Sequence, residues 1–359
     1  MSEDQERARA GLEASRRQLL KGAGLGGLTV GAAGLLAACS SSTSSGSGTG
    51  AVGDYPSTPK WKWVFVNHVT TNPFFQATQY GIQDATKITN CTYQWTGSET
   101  SDVSQMVSAM NTAISSNADG IAVSLIDTKA FNAPTQKALA KGIPVVSYNA
   151  DAAGNDRLAY IGQDLFLSGQ KMGERIVQLV PSGDVALFIA TPGSLNIQPR
   201  IDGAMQAIKA SGKPIKATAI ATGAEVNGEQ AKIDAYYQGN KGVKGLFAVD
   251  AGSTQGVGQV MKKYSLQGKV HGGGYDLLPT TLQLIKEGVL DFTIDQLPYY
   301  QGWIPAMYLY MYKLSGTLLT PAETNTGLKF VTKDTVEPYL ATQDRYVGNS
   351  AAQKYIKSS

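Results

Sequence analysis

Asn72-Pro73-Phe74-Phe75 places an amide, a helix-starting proline and two adjacent aromatic rings just beyond an apolar run, Trp63 to Val66, that ends at Asn67. An amide both donates and accepts hydrogen bonds, and an aromatic face matches the apolar C–H face of a sugar ring. The chemistry these residue types offer is capture of a small polyhydroxylated molecule rather than bond breaking. In open α/β sheets, ligands sit beyond the carboxyl ends of the strands. Collecting the polar and aromatic residues at each such end gives Asn67, Asn72, Phe74, Phe75, Ser124, Asp127, Asn149 and Asp151 in the first half of the chain. The second half gives Asn196, Arg200, Glu225, Asn227, Asp250, Asp276, Asp295 and Gln296. Carboxylates, amides and one arginine recur at equivalent places in both halves. A buried hydrogen bond from a sugar hydroxyl to a charged group is worth about 1.5–3 kcal/mol.

Each residue has a plainer use. Asp and Asn after a strand serve as helix caps or turn residues in about half of such cases. One of Phe74 and Phe75 is expected to pack inward, and Arg200 has the alternative of a surface ion pair. Asp250 and Asp276 together offer a carboxylate pair of the kind that cleaves glycosides, but nothing else marks a catalytic site. Two cysteines and two histidines cannot assemble zinc sites or Cys/His catalysis. There is no Walker A loop and no G-x-S-x-G. Gly22-Ala23-Gly24-Leu25-Gly26-Gly27 fits G-x-G-x-x-G, but it follows no strand. No catalytic residue, metal or cofactor is expected.

The elements that must position these side chains alternate regularly. Strands are expected at Trp63–Val66, Cys91–Trp95, Gly120–Ser124, Pro144–Tyr148 and Leu158–Ile161, the last at a sheet edge. The pattern restarts with strands at Asp184–Ile189, Ile215–Ala221, Gly245–Val249, Val270–Tyr275 and Asp291–Ile294, each pair separated by a helical stretch. Strand–helix alternation gives right-handed crossovers and parallel sheets. About ten strands exceed one compact layer, so two similar lobes are expected. The Tyr/Met-rich segment from Tyr299 to Lys313 reads as a buried helix returning to cover the first lobe. Gly327 to Val331 is a last strand, and Pro338 onward reads as polar tail.

The 359 residues have a formal net charge of +3 and carry no basic run after residue 21, which gives no footing for nucleic acid. Ser15-Arg16-Arg17-Gln18-Leu19-Leu20-Lys21 precedes the apolar stretch from Gly22 to Ala38 and reads as a twin-arginine export signal. That stretch is rich in Gly and Ala and short for a membrane span of about 20 strongly apolar residues. Leu36-Ala37-Ala38-Cys39 resembles the lipobox of bacterial lipoproteins. The resemblance implies cleavage before Cys39 and lipidation of Cys39. Residues 39–60 are then a Ser/Gly-rich tether holding an exported domain at the outer face of the bacterial cell membrane, on the cell surface or the periplasmic side. With Cys39 lipidated, Cys91 has no disulfide partner and reads as a small apolar residue.

From Trp63 to Val331 the chain resembles the periplasmic sugar-binding receptors of ABC importers, the ribose-binding-like group of type I binding proteins. Asn72-Pro73-Phe74-Phe75 matches the first ligand loop, which implies an amide on a hydroxyl and two rings sandwiching the sugar. Pro144-Val145-Val146-Ser147-Tyr148-Asn149 matches the strand that usually ends in Asp-Arg. Here Asn149 is followed by Ala150, so a fixed arginine fork is missing. Gln198-Pro199-Arg200-Ile201-Asp202-Gly203 matches an Arg-x-x-Gly segment that brings Arg200 to the ligand. Asp250 stands where the family often has Asn. Gly274-Tyr275-Asp276 matches a Gly-Phe-Asp motif, and Thr293-Ile294-Asp295-Gln296-Leu297-Pro298 matches a hinge segment ending at Gln296.

What the resemblance implies is an α/β fold of two Rossmann-like lobes with parallel sheets, joined by a three-crossover hinge. Lobe one is expected at 61–163 plus 297–325, lobe two at 164–296 plus 326–350, with a tail at 351–359. The ligand set is Asn72, Phe74, Phe75, Asn149, Arg200, Asp250, Asp276 and Gln296. The implied function is a monomeric receptor that passes a sugar or polyol to a membrane permease and its ATPase, with the departures at Asn149, Ala150 and Asp250 leaving pentose, hexose and polyol open. The competing functions are a tethered glycosidase using Asp250 and Asp276, and a sugar or autoinducer receptor signalling to a sensor.

Overall fold

Lys62–Asn67 forms strand β1, whose last five residues are all buried. A strand covered on both faces belongs inside a parallel sheet. It pairs in parallel with β2 (Thr92–Gly97) on one side and β3 (Gly120–Val123) on the other. β4 (Val145–Tyr148) and β5 (Tyr160–Gly162) extend the sheet. Helices α1 (Phe75–Ile88), α2 (Val103–Ser115) and α3 (Asn132–Ala140) make the crossovers. Asp102 starts α2 by accepting from the N–H groups of Ser104 and Gln105. The computed structural model describes residues 58–341 apart from Leu319. The expected signal at 1–38, the lipidated Cys39, the tether as far as residue 57 and the tail at 351–359 lie outside the described residues.

The second sheet repeats the plan. α4 (Leu165–Leu179) leads into β6 (Gly183–Ile189), then α5 (Gln198–Ala210), β7 (Ile215–Ala221), α6 (Val226–Gly239), β8 (Gly245–Ala248), α7 (Ala251–Lys263), β9 (His271–Tyr275), α8 (Pro279–Lys286) and β10 (Phe292–Asp295). The chain returns through α9 (Tyr300–Ser315) to β11 (Glu323–Asn325), then ends with β12 (Lys329–Val331) and the short α10 (Glu337–Leu340). The strand orders are β11-β5-β4-β3-β1-β2 and β12-β10-β9-β8-β6-β7. All pairings are parallel except β10 with β12. The chain therefore leaves the first sheet after Gly162, returns after Asp295 and leaves again after Asn325.

Alternate residues of each central strand feed apolar layers on opposite faces. In β1, Trp63 and Phe65 join one layer while Val64 and Val66 join the other. The Tyr/Met-rich segment is α9, and its Ala306, Leu309 and Tyr310 complete the Trp63 layer. Among the described residues no helix is long and apolar enough to cross a membrane. Cys91 is buried in the same layer.

Three local expectations need correction. β5 is not the edge of its sheet, because β11 pairs alongside it. Asp127 to Lys141 reads in the sequence as one helix closed by Gly142, but Asp127 does not open it. It caps a turn through the N–H groups of Lys129 and Ala130, and the helix begins only at Asn132. The stretch after Pro338 does not begin as a polar tail, since Tyr339 is buried and its hydroxyl approaches Asp295 Oδ2 at 3.4 Å.

Candidate ligand site between the two sheets

The eight residues singled out from the sequence line one cavity. Asn72, Phe74, Phe75 and Asn149 come from the first lobe, Arg200, Asp250 and Asp276 from the second, and Gln296 from the return crossover. Asn196, collected at a strand end, lines it too, as do His68 and Glu229, which were not collected. The other strand-end polar residues have structural duties. Asn67 donates to Tyr148 Oη (2.9 Å) and accepts from Val69 N–H (2.8 Å). Asp151 is paired with Arg157 (2.6 Å), which also reaches Glu323. Asp295 Oδ1 accepts from Leu297 N–H. Glu225 and Asn227 line an adjoining mouth of the cleft with Pro73, Glu99 and Pro279.

The first-lobe wall is built on the loop after β1. Asn72 Oδ1 accepts from Phe74 N–H (3.0 Å), which fixes the turn and leaves its amide N–H₂ for other partners. Phe75 is buried among core residues and packs edge-on against His68, while Phe74 stays half-buried. The two phenyl rings meet each other edge-to-face, centroids 4.7 Å apart and planes at 80°. Rings in mutual contact leave no space between them, so they do not form the sandwich that the resemblance implies. Phe74 and Phe75 instead form one continuous apolar corner.

A run of amides ties the two lobes together under the cavity. Asn149 sits at the end of β4 with φ 64°, in the left-handed region that Asn tolerates better than most residues. Its Nδ2 donates to Gln301 Oε1 (3.1 Å), and its buried Oδ1 has no partner within the protein. Gln301 Nε2 donates to Gln296 Oε1 (3.0 Å), and Gln296 Nε2 donates to Asp276 Oδ1 (2.7 Å). Asp276, at φ 76° beyond β9, is buried. Burial pushes its carboxyl up to about 7, with Arg200 opposing the rise. Sequence reasoning missed Gln301, which lies in the first turn of α9.

Arg200 is 2% exposed. Nη1 donates to Val249 O (2.8 Å), Nη2 to Gln163 Oε1 (3.3 Å), and the guanidinium lies 4.1 Å from the centroid of the Tyr275 ring. Its Nε, also buried, has no partner within the protein. Two glycines allow this placement. A Cβ on Gly169 would strike the backbone carbonyl of Arg200, and one on Gly203 that of Phe166, so α4 and α5 pack backbone to backbone. Gln163 also donates to Gly327 O (3.1 Å), joining the first and third crossovers.

Asp250 caps α7. Its Oδ1 accepts from Ser253 N–H and its Oδ2 from Ala190 N–H, both at 2.9 Å. That arrangement suits a fixed acceptor rather than a group that shuttles protons. Beside it, Glu229 is buried, and burial together with the Asp250 carboxylate holds its carboxyl well above the usual range.

The lobes also touch directly. Asn196 Nδ2 lies 3.0 Å from His68 Nε2, and Leu195 N–H donates to Ile126 O (3.0 Å). His68 Nδ1 lies 3.1 Å from Ser124 Oγ. The pattern fits a neutral imidazole accepting from Asn196 and donating to Ser124, and burial lowers its pKa to about 3.

Among the described residues no group of three or more His, Cys, Asp or Glu side chains is placed to hold a metal ion. Two like-built α/β lobes, three crossovers and a polar, ring-lined cavity between them define a hinged ligand receptor. The chain belongs to the periplasmic binding protein family, whose domain profile matches residues 63–317. It is 52% identical over 318 residues to the xylose/arabinose-binding protein XylF of Sulfolobus acidocaldarius, covering 84% of this chain and 78% of the relative. Among solved structures, an ABC transporter solute-binding protein of Burkholderia graminis in complex with D-arabinose is 25% identical, with a TM-score of 0.74 over 79% of this chain and 99% of that one. A carbohydrate transporter of Acidothermus cellulolyticus in complex with myo-inositol is 24% identical and shares the fold, with a TM-score of 0.70 over 79% and 97% of the two chains.

Proposed function

We propose that this protein captures a pentose of the xylose or arabinose kind between its lobes and delivers it to an ABC permease powered by its ATPase. The observation that carries the reading is a pair of buried polar atoms on two residues that line the cavity. Arg200 Nε is a donor and Asn149 Oδ1 an acceptor, and neither has a partner within the protein. A buried polar group left unpaired costs about 1–3 kcal/mol, and a sugar hydroxyl, which donates and accepts, answers both. The close relative named for xylose and arabinose supports a pentose. Asn72, Asp250, Asp276 and Gln296 supply further polar contacts, and Phe74 with Phe75 the apolar corner. Binding by both lobes favours the closed form, because only differential affinity shifts such an equilibrium. No bond in the ligand is broken.

The receptor works as a monomer at the outer face of the membrane. Export follows the twin-arginine signal, and a lipid on Cys39 anchors the tethered domain. Replacing Cys39 with Ser should move the protein from the membrane fraction to the soluble one.

The test is a thermal-shift and calorimetric screen of the purified domain against D-xylose, L-arabinose, D-ribose, hexoses and polyols. A pentose should raise Tm by mass action and be recovered unchanged in equimolar amount. No shift with any sugar, or turnover of the bound one, overturns the reading.

A further inference from the structure

We propose that Glu229 is a positioning residue for Asp250: a neutral carboxylic acid whose hydroxyl donates to the Asp250 carboxylate and fixes the direction in which Asp250 meets a ligand hydroxyl. The inference rests on the sugar-binding reading above.

Glu229 lies in the first turn of α6, is 1% exposed and nevertheless borders the ligand cavity. One oxygen, Oε2, accepts from Ser253 Oγ–H (2.6 Å), and Ser253 Oγ is in turn 2.8 Å from Thr222 Oγ1. The other oxygen, Oε1, lies against the Cα of Gly252, and any Cβ at that position would collide with it. The bare glycine thus makes the room in which Glu229 reaches the start of α7, where the same Ser253 whose hydroxyl it holds gives its N–H to Asp250 Oδ1. Among the described residues neither carboxyl has an ion-pair partner. Asp250 is only part-buried, but Glu229 is fully buried beside it, and two carboxyls so placed hold one proton rather than two charges. Burial, reinforced by the Asp250 charge, keeps that proton on Glu229.

The consequence is a count of lone pairs. A carboxylate offers about four acceptor sites. Asp250 gives two to the N–H groups of Ser253 and Ala190 and a third to Glu229. Asp250 lines the cavity, so the remaining one is open to a ligand that presents a donor. Losing Glu229 leaves the carboxylate held by its two N–H donors alone and admits water to the vacated acceptor site.

The experiment measures the affinity of D-xylose and L-arabinose for the wild type, Glu229→Gln and Glu229→Ala, from mildly acidic to alkaline pH. The groups facing Glu229 are Asp250 and Ser253 on α7 and Thr222 beyond β7. Arg200, Asp276 and His68 are the other charged or titratable side chains around the cavity. Glu229→Gln keeps a donor toward Asp250 and should bind within about threefold of the wild type, whereas Glu229→Ala should bind about tenfold or more weakly. Wild-type affinity should fall at alkaline pH as Glu229 ionises beside Asp250, and Glu229→Gln should lose that fall. The Asp276 titration near neutrality is common to both proteins. Wild-type affinity in a folded Glu229→Ala, a Glu229→Gln as weak as the alanine variant, or a persistent alkaline fall in Glu229→Gln overturns the proposal. If the alanine variant does not fold, the glutamine variant and its pH profile decide. A wild type that binds no sugar overturns the ligand reading and this proposal together. Sugar binding that no variant alters overturns this one alone.

Discussion

Gln296 donates to Asp276 at 2.7 Å, and the two residues end neighbouring strands, β10 and β9. Gln296 stands where the chain returns to the first lobe, so the hydrogen bond couples a second-lobe ligand group to the hinge. Asp276→Ala should abolish the ligand-induced rise in Tm with circular dichroism unchanged. Asp276→Asn retains an acceptor and tolerates φ 76°, so it should bind more weakly by about 1.5–3 kcal/mol, or about ten- to hundredfold. An undiminished thermal shift in the alanine variant would show that the ligand lies elsewhere.

The contact between Asn196 and His68 is made only when the lobes are together. A neutral hydrogen bond contributes about 0.5–1.5 kcal/mol. Asn196→Ala should therefore shift the ligand-free protein toward open forms, seen as a larger radius of gyration in solution scattering. It should also weaken sugar binding by up to about tenfold. An unchanged radius together with unchanged affinity would mean that this contact does not hold the lobes.

Burial pushes the carboxyl of Asp276 up to about 7 and that of Asp295 up to about 6, and it raises Glu229 as well. The folded protein therefore holds these protons more tightly than the unfolded chain. Their contribution is fully present below the ordinary carboxyl range of about 4 and is lost as pH rises through about 6 for Asp295, about 7 for Asp276 and alkaline pH for Glu229. His68 acts oppositely. Its depressed pKa removes stability as pH falls from about 6.5 toward about 3. Three carboxyls outweigh one imidazole, so Tm should fall between about pH 5 and pH 8, at about 1.4 kcal/mol for each tenfold change in proton affinity. Asp295→Asn, which keeps the Oδ1 acceptor for Leu297 N–H, should flatten that fall. A Tm that is level or rising over the interval contradicts the assignment.

Residues that obey a strand-end rule were legible. Asp250 and Asp276 directly follow β8 and β9, and the continuous apolar run Leu246-Phe247-Ala248 marks β8 without ambiguity, whereas Arg200, in the first turn of α5, was legible through its Arg-x-x-Gly segment. His68 and Gln163 follow β1 and β5 just as directly, so the same rule carries a signal for them. Glu229 and Gln301 carry none, because they sit within first helical turns where polar residues are the norm. β11 pairs alongside β5, and Glu323-Thr324-Asn325 has no apolar periodicity to announce it. Tyr339 sits in Val336-Glu337-Pro338-Tyr339-Leu340, a stretch too short to show a period, and only the packed structure reveals the pocket that buries it.

Phe74 and Phe75 separate stability from binding within one dipeptide. Phe75 is 2% exposed and packs against Trp95 and His68, with ring centroids at 5.8 and 5.4 Å. Truncating such a ring to alanine costs about 3–5 kcal/mol, so Phe75→Ala should lower Tm sharply and lose affinity through misplacement of the loop. Phe74 is half-buried, and its neighbours in the fold are fewer. Its α-helical backbone at the start of α1 also accepts alanine without strain. Phe74→Ala should leave the unfolding free energy of the ligand-free protein within about 1 kcal/mol of the wild type and should weaken sugar binding by about tenfold, through the lost apolar face. Equal losses of stability in the two variants would place both rings in the core, and undiminished sugar affinity in Phe74→Ala would remove it from the ligand wall.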